Sequence, residues 1–265
     1  MKKKILITND DGFESPGLKA LIEALKPFGE IYIVAPTIEK SACGHSLTLS
    51  RPLRFIEIDK NFYKLDDGTP SDCIFLALNK LFKDNKPDLV VSGINIGANM
   101  GEDITYSGTV AAAMEGVLQG VPSIAISQVC RGYCKDILKL EFKLAKEAVA
   151  KIVDKIFKNG FPLQSRELLN INIPPVEPRE CKGYKITHAG RRVYGNDAQV
   201  HINPRGIEYY WIGLPKLDWH SHHIDGNILS DFEAIKENFI SITPIMLDLT
   251  AYKRLDTLKS WLDET

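Results

Sequence analysis

Four oxygen-bearing side chains in the first hundred residues have the chemistry of a site for a hard cation. Asp10 and Asp11 are adjacent, and Ser41 and Asn95 lie in polar loops farther along the chain. Two neighbouring carboxylates repel each other unless a cation or a proton lies between them. Because none of the four is His or Cys, the set favours Mg²⁺, Mn²⁺ or Ca²⁺ over zinc. A cation with open coordination positions acts as a Lewis acid and lowers the pKa of its bound water.

A second group of residues has the chemistry of an anion site. Asn99 lies in a loop with regularly spaced glycines, where the backbone can approach a ligand. Ser107, Gly108 and Thr109 open a predicted helix, and exposed N–H groups and hydroxyls at a helix start can hold a phosphate. Capping of that helix by Ser107 or Thr109 is an equally good interpretation of this segment alone. Together the two groups predict metal-assisted hydrolysis of a phosphate ester, with Asp10 and Asp11 as the catalytic residues.

The elements that position these residues follow from the apolar pattern. Ile5, Leu6 and Ile7 form a continuous apolar run, which predicts a buried strand that ends at the two aspartates. A helix stripe starting at Leu18 follows, so Asp10 and Asp11 lie between a strand and a helix. Ligands bind at this edge of open α/β sheets. The alternative is an ordinary acidic turn in which Asp11 caps the helix region.

Farther along the chain, strand-like and helix-like segments alternate. The order is β-α-β, a hairpin over 51–65, and then α-β-α-β-α, which predicts a layered and mostly parallel Rossmann-like sheet. Beyond residue 175 the segments become short and β-like, and Leu255, Leu258, Trp261 and Leu262 predict a terminal amphipathic helix. We expect one domain over 1–265, with a core at 1–180, a β-ribbon insertion at 181–240 and a terminal strand and helix at 241–265.

Composition narrows the class of protein. The 265 residues are 44% hydrophobic and 25% charged, which is typical of a globular protein, and the net charge of −1 gives no reason to expect a nucleic-acid polymer or a membrane as partner. No apolar run approaches the roughly 20 residues of a membrane helix. The five cysteines are scattered, so we expect reduced thiols and a cytoplasmic location. Cys130 and Cys134 lack the further ligands of a zinc site.

Four motifs in order resemble the SurE family of stationary-phase survival proteins and nucleotidases. They are Asn9–Gly12, Ser41 with Gly44–Thr48, Gly68–Cys73, and Ser92–Asn95 continuing to Val110. The resemblance implies a Rossmann-like core and a divalent-metal-dependent phosphatase for nucleoside monophosphates. It implies one Mg²⁺ or Mn²⁺ per subunit on Asp10, Asp11, Ser41 and Asn95, and a homo-dimer or homo-tetramer built partly by exchange of C-terminal elements.

The residues leave three other functions to be weighed. A phosphatase with an aspartyl nucleophile at Asp10 needs an Asp-x-Asp pattern, whereas here the aspartates are adjacent. A phosphoacceptor module needs an Asp after a later strand, where this chain has Ser92–Asn95. A non-catalytic nucleotide or phosphate sensor could use the same metal site. The general base is open among Asp11, a metal-bound hydroxide and His45.

Overall fold

A nine-stranded sheet forms the centre of the molecule. The computed structural model describes residues 2–130, 142–193, 198–212, 219–220 and 228–263. The strand order is β3-β4-β2-β1-β5-β6-β7-β13-β8. Six of its eight strand pairs are parallel, and the pairs β3–β4 and β7–β13 are antiparallel. Helices cover both faces, so the predicted layered and mostly parallel sheet is confirmed.

The strands and helices are numbered in chain order. The strands are β1 Lys4–Thr8, β2 Glu30–Pro36, β3 Arg54–Asp59, β4 Phe62–Asp66, β5 Leu89–Ile96, β6 Ser123–Gln128, β7 Glu167–Ile173, β8 Tyr184–Ile186, β9 Arg191–Arg192, β10 Ala198–Ile202, β11 Glu208–Ile212, β12 Trp219–His220 and β13 Ile240–Met246. The α-helices are α1 Pro16–Leu25, α2 Pro70–Leu76, α3 Gly108–Leu118, α4 Lys143–Asn159, α5 Asp231–Lys236 and α6 Leu255–Asp263.

Local sequence explains where the helices begin. Ser15 caps α1 by accepting a hydrogen bond from the Leu18 amide, and Pro16 occupies the first position of that helix. The cap of α1 is therefore Ser15, and the interpretation that placed Asp11 there is wrong. Thr69 caps α2 in a capping box with Asp72. Both helix starts lie directly after the loops that carry the sequence motifs.

The core lies on both faces of the sheet. Ile5 and Ile7 of β1 point to the face that α1 and α4 cover, whereas Leu6 points to the face that α2 covers. The three side chains are fully buried, as their continuous apolar run predicts. Since β1 is central and covered on both sides, its carboxyl end is a rigid position for Asp10 and Asp11.

Two expectations need correction. The sequence pattern placed Asn95 in a polar loop, but β5 continues to Ile96, and a bulge interrupts its pairing with β6 between Ser92 and Asn95. Asn95 therefore lies on a strand rather than in a loop. Cys130 forms a disulfide, which contradicts the prediction of five reduced thiols, while Cys43, Cys73 and Cys181 are free. Cys134 lies outside the described residues.

The C-terminal third leaves much apolar surface uncovered. The β10–β11 pair is an antiparallel ribbon, and all ten of its residues are exposed. Trp211 and Ile212 are 66% and 91% exposed. The stripe residues of α6, from Leu255 to Leu262, are also exposed. A search of the described ranges finds no helix with the length and apolarity of a membrane span.

Candidate metal and phosphate site

Asp10 is held at the end of β1 by the first turn of α3. Its side chain is nearly inaccessible, at 3% exposure. The Thr109 amide donates to Asp10 Oδ2 at 3.1 Å, and the Thr109 hydroxyl donates to Oδ1. The helix comes this close because residue 108 has no side chain: a β-carbon there would lie 2.8 Å from Asp10 Cβ. Asp10, Gly108 and Thr109 are therefore packed together, as the prediction of one common site requires.

Asp11 connects β1 to the adjacent strand β5. The two strands are parallel, with Thr8 opposite Ser92. The Ile96 amide donates to Asp11 Oδ2 at 3.3 Å, which brings Asp11 beside the neighbouring residue Asn95. The Asn95 side chain is 8% exposed, and its Nδ2 donates to the Gly97 carbonyl at 3.1 Å. Because Nδ2 is turned toward the backbone, the amide oxygen is the atom of Asn95 that remains to bind a cation.

The loop with Ser41 reaches the same place, but its hydroxyl is turned elsewhere. The Lys40 amide donates to the Asp10 carbonyl at 2.7 Å, so the segment adjoins the aspartates. Ser41 itself is exposed, and its Oγ donates to Glu39 Oε1 at 2.8 Å. The structure therefore brings together Asp10, Asp11 and Asn95 directly, and Ser41 through its neighbour.

The same loop is fixed to α2 and α3 by side-chain contacts farther along. Thr48 donates to Asp72 through its amide at 2.9 Å and through its hydroxyl at 2.7 Å. His45 Nε2 lies 2.9 Å from Glu115 Oε2 on α3. Burial would raise the pKa of Glu115, but hydrogen bonds from His45 and Gln119 outweigh it and lower that pKa. His45 thus anchors the loop, which favours a structural role over that of a general base.

Asn99 is fixed from the far side of the site by β6 and β7. Its Nδ2 donates to Ser127 Oγ at 2.7 Å, and its amide donates to Asn172 Oδ1 at 3.0 Å. Its carbonyl accepts from Asn170 at 2.8 Å and from Asn172 at 3.0 Å. The residue is 6% exposed. These contacts set the position of the loop that leads from β5 to α3.

Ser107 and Thr109 already have partners in the structure. Ser107 Oγ accepts from the Val110 amide at 3.0 Å and so caps α3. Thr109 uses both its amide and its hydroxyl on Asp10. Of the alternatives that the sequence left open, capping is what the Ser107 hydroxyl does. The Gly108 amide is the donor of this turn that neither Asp10 nor Ser107 engages.

The electrostatics of the site call for positive charge. Burial raises the pKa of Asp10, and burial together with the charge of Asp10 raises the pKa of Asp11 to about 7. Glu39 adds to both shifts. No Lys or Arg in the described ranges forms an ion pair with either aspartate. A divalent cation would compensate this charge, and the oxygen-only donor set fits a hard cation. The described ranges contain no group of three or more His, Cys, Asp or Glu residues placed to hold a metal ion.

Sequence reasoning missed Glu39 and Asn172 at the site and gave Asn9 no role beyond its place in the motif Asn9–Gly12. Glu39 escaped notice because it is an exposed loop acid with no motif around it. Asn9 is fully buried and fixes the loop by donating to the Gly12 carbonyl at 3.0 Å and to Ser15 Oγ at 2.8 Å. Asn172 lies in an apolar strand, and a polar residue at a buried strand position was the available signal for it.

Comparison with known proteins identifies a family and relatives that this chain resembles. The family model described as Survival protein SurE matches residues 5–196. A "5'-nucleotidase SurE" of Sulfurovum sp. is 59% identical over 264 residues and covers 99% of both chains. One of Aliarcobacter butzleri is 60% identical over 263 residues, covering 98% of this chain and 99% of that protein. A solved SurE protein from Aquifex aeolicus aligns with a TM-score of 0.82 at 42% identity, covering 97% of this chain and 99% of the other.

Proposed function

The chain belongs to the SurE family, and from that premise we propose that it is a 5′-nucleotidase that hydrolyses nucleoside monophosphates to nucleoside and phosphate. The observation that carries the proposal is the pair Asp10 and Asp11, which forms no ion pair with a basic side chain of the described ranges and is packed against the start of α3. A cation site beside a helix N-terminus combines a Lewis acid for hydrolysis of a phosphate ester with N–H donors that bind the phosphate. The name of the curated relatives supports the same activity.

Asp10, Asp11, Ser41 and Asn95 would hold one Mg²⁺ or Mn²⁺ per subunit. Asp10 and Asp11 provide the negative charge, and the neutral oxygens of the other two would complete the protein's share of the ligands. For Ser41 this requires the hydroxyl to leave Glu39, which is a rotation of an exposed side chain. When bound, the cation would supply Lewis-acid polarisation of the phosphate and a lowered pKa for a water.

The chain's own residues would orient the substrate. Asn99, Ser107, Gly108 and Thr109 are the proposed phosphate contacts, and the Gly108 amide is the donor that the capping contacts leave available. Thr109 contributes by holding Asp10 in place. Asp11 is our candidate for the group that accepts a proton from the attacking water, because its carboxylate adjoins the place where the cation and its water would lie.

We also propose that the chain forms a homo-dimer or homo-tetramer by exchange of C-terminal elements. The support is the apolar surface left uncovered on the β10–β11 ribbon and on α6. Ribbons of two strands are marginally stable unless they pack on another element. The same proposal divides the chain into a core at 1–180, a ribbon region at 181–240 and a terminal segment at 241–265.

We further propose that the enzyme also acts on 3′ esters or polyphosphate and that it is located in the cytoplasm.

Phosphate release from a panel of nucleoside monophosphates tests the function. Wild type, Asp11→Asn and the control Glu14→Gln, an exposed acid of the same loop, would be assayed with chelator and after addition of Mg²⁺ or Mn²⁺. We expect metal-restored turnover in wild type and Glu14→Gln and its loss in Asp11→Asn. Tight nucleotide binding without turnover would instead support a sensor. Turnover that survives both chelator and Asp11→Asn would refute the proposed site.

A further inference from the structure

A carboxylate far from the metal site in sequence holds the loop that leads into it. Asp231, the first residue of α5, is fully buried. Its Oδ2 accepts from the Gly101 amide at 2.8 Å. Its Oδ1 accepts from the Gly190 amide and the Phe232 amide, both at 2.9 Å. One side chain thus joins α5, the segment before β9 and the loop after β5.

Gly101 has a backbone conformation and surroundings that favour glycine at this contact. Gly101 has a φ of +54°, and a β-carbon there would lie 2.7 Å from the Gly190 carbonyl and 2.8 Å from the Phe232 ring. Phe232 is buried and stacks on Trp219, with ring centroids 5.3 Å apart. Residues from the C-terminal third therefore form a surface that fits the backbone at Gly101 closely.

The loop fixed in this way carries the proposed phosphate contacts. Asn99 lies two residues before Gly101, and the short helical turn Gly101–Thr105 leads from there to Ser107 and α3. The asparagines of β7 hold the loop at Asn99, and Asp231 holds it at Gly101. A third contact joins Arg192 and Asp103 in an ion pair. Without Asp231, the segment between residues 99 and 107 would keep its first anchor and lose its second.

We propose that Asp231 is a positioning residue for the phosphate-binding loop: by accepting the Gly101 amide it holds residues 97–107 in the conformation that binds substrate. The inference rests on the proposed function, because it assumes that Asn99 and the start of α3 contact the phosphate. It adds a residue outside all four sequence motifs, and it makes the C-terminal third part of the site's support.

A positioning role has a kinetic signature that a merely structural one lacks. If the loop adopts its binding conformation only part of the time, the apparent dissociation constant rises in inverse proportion to that fraction. Chemistry in the bound complex is then little changed, so KM rises and kcat is kept. Loss of folded protein does the reverse, because it lowers the amount of active enzyme and leaves KM unchanged.

Asp231→Asn is the variant of choice. An amide has one acceptor oxygen, so keeping the bonds to Gly190 and Phe232 leaves Nδ2 facing the Gly101 N–H. The matched control is Ser230→Ala, which removes the Ser230–Glu233 capping box of the same helix without touching the loop. Should Asp231→Asn fail to fold, Gly101→Ala disturbs the same contact from the loop side.

The experiment measures hydrogen exchange of residues 97–107 by mass spectrometry together with kcat and KM for a nucleoside monophosphate. We expect about tenfold faster exchange in this segment and about tenfold higher KM in Asp231→Asn, a factor that corresponds to roughly 1.4 kcal/mol. Ser230→Ala should change neither. Unchanged exchange, or equal changes in both variants, would overturn the inference. Inactive wild type with the expected exchange difference would instead refute the proposed function and leave the anchoring intact.

Discussion

Replacing Asp11 by Asn should stabilise the metal-free protein. The fold places two carboxylates side by side, and burial together with the charge of Asp10 raises the pKa of Asp11 from 3.8 to about 7. A raised pKa in the folded state means that the charged form is disfavoured there. Asn keeps the shape of the side chain and the acceptor for the Ile96 amide, and it removes the charge. The variant thus isolates the electrostatic cost of burying two adjacent carboxylates in the metal-free protein.

The size of the effect follows from linkage. The difference between 3.8 and about 7 is roughly three pKa units, which at 1.36 kcal/mol each gives an upper bound of about 4 kcal/mol. Asp11 is partly accessible, so we expect about 2–4 kcal/mol. Asp11 binds its proton more tightly in the folded state than in the unfolded state. The wild type therefore has this folding stability of about 2–4 kcal/mol in full below pH ~4 and loses it as the pH rises to ~7.

Urea denaturation in the presence of a chelator measures the difference. Asp11→Asn and wild type should unfold at similar urea concentrations near pH 4, and the variant should be the more stable of the two at pH 8. Added Mg²⁺ or Mn²⁺ should reverse the order at pH 8, because the ion binds the folded wild type more tightly. Glu14→Gln should follow the wild type throughout. A constant difference across the pH range, or stabilisation that metal does not reverse, would refute the electrostatic reasoning.

Three further predictions concern the support of the site. Gly108→Ala places a β-carbon 2.8 Å from Asp10 Cβ, so we expect about 1–3 kcal/mol lower stability by urea denaturation and loss of phosphate release. Thr109→Val removes the hydroxyl that donates to Asp10 and should weaken metal binding in calorimetry, whereas Thr109→Ser should restore it. Glu115→Gln leaves one acceptor oxygen for two donors, His45 and Gln119, and should cost about 1–3 kcal/mol at neutral pH. Since hydrogen bonds lower the folded pKa of Glu115, that cost should vanish as the pH falls below ~4.5, and a cost that persists in acid would contradict the assignment.

The sequence predicted the elements whose signals are local. The buried run Ile5–Ile7 predicted β1 and the apolar stripe from Leu18 predicted α1, and the structure confirms both elements. Parallel strands then bring Asp11 and Asn95 to one edge without further information. These features need no knowledge of the partner elements, since burial pattern and capping chemistry act within a few residues.

Contacts between distant segments could not be predicted in the same way. That Thr109 donates to Asp10, 99 residues away, depends on how closely α3 approaches β1. The Ser41 hydroxyl turns to Glu39, a choice that depends on the rotamer of an exposed side chain. The Asp231 contact with Gly101 spans 130 residues. Nothing in the spacing of these residues distinguishes them from any other polar pair.

The clustering of acids at the end of β1 has a consequence for the order in which ligands bind. Asp10, Asp11 and Glu39 produce a negative potential at the place where a phosphate must arrive, and an anion approaching the bare site would be repelled. Neutralisation of most of this negative charge by a cation must therefore precede productive encounter with a nucleotide. Kinetics of the proposed enzyme should follow a compulsory sequence, and excess nucleotide that sequesters free cation in solution should act as an inhibitor of its own turnover.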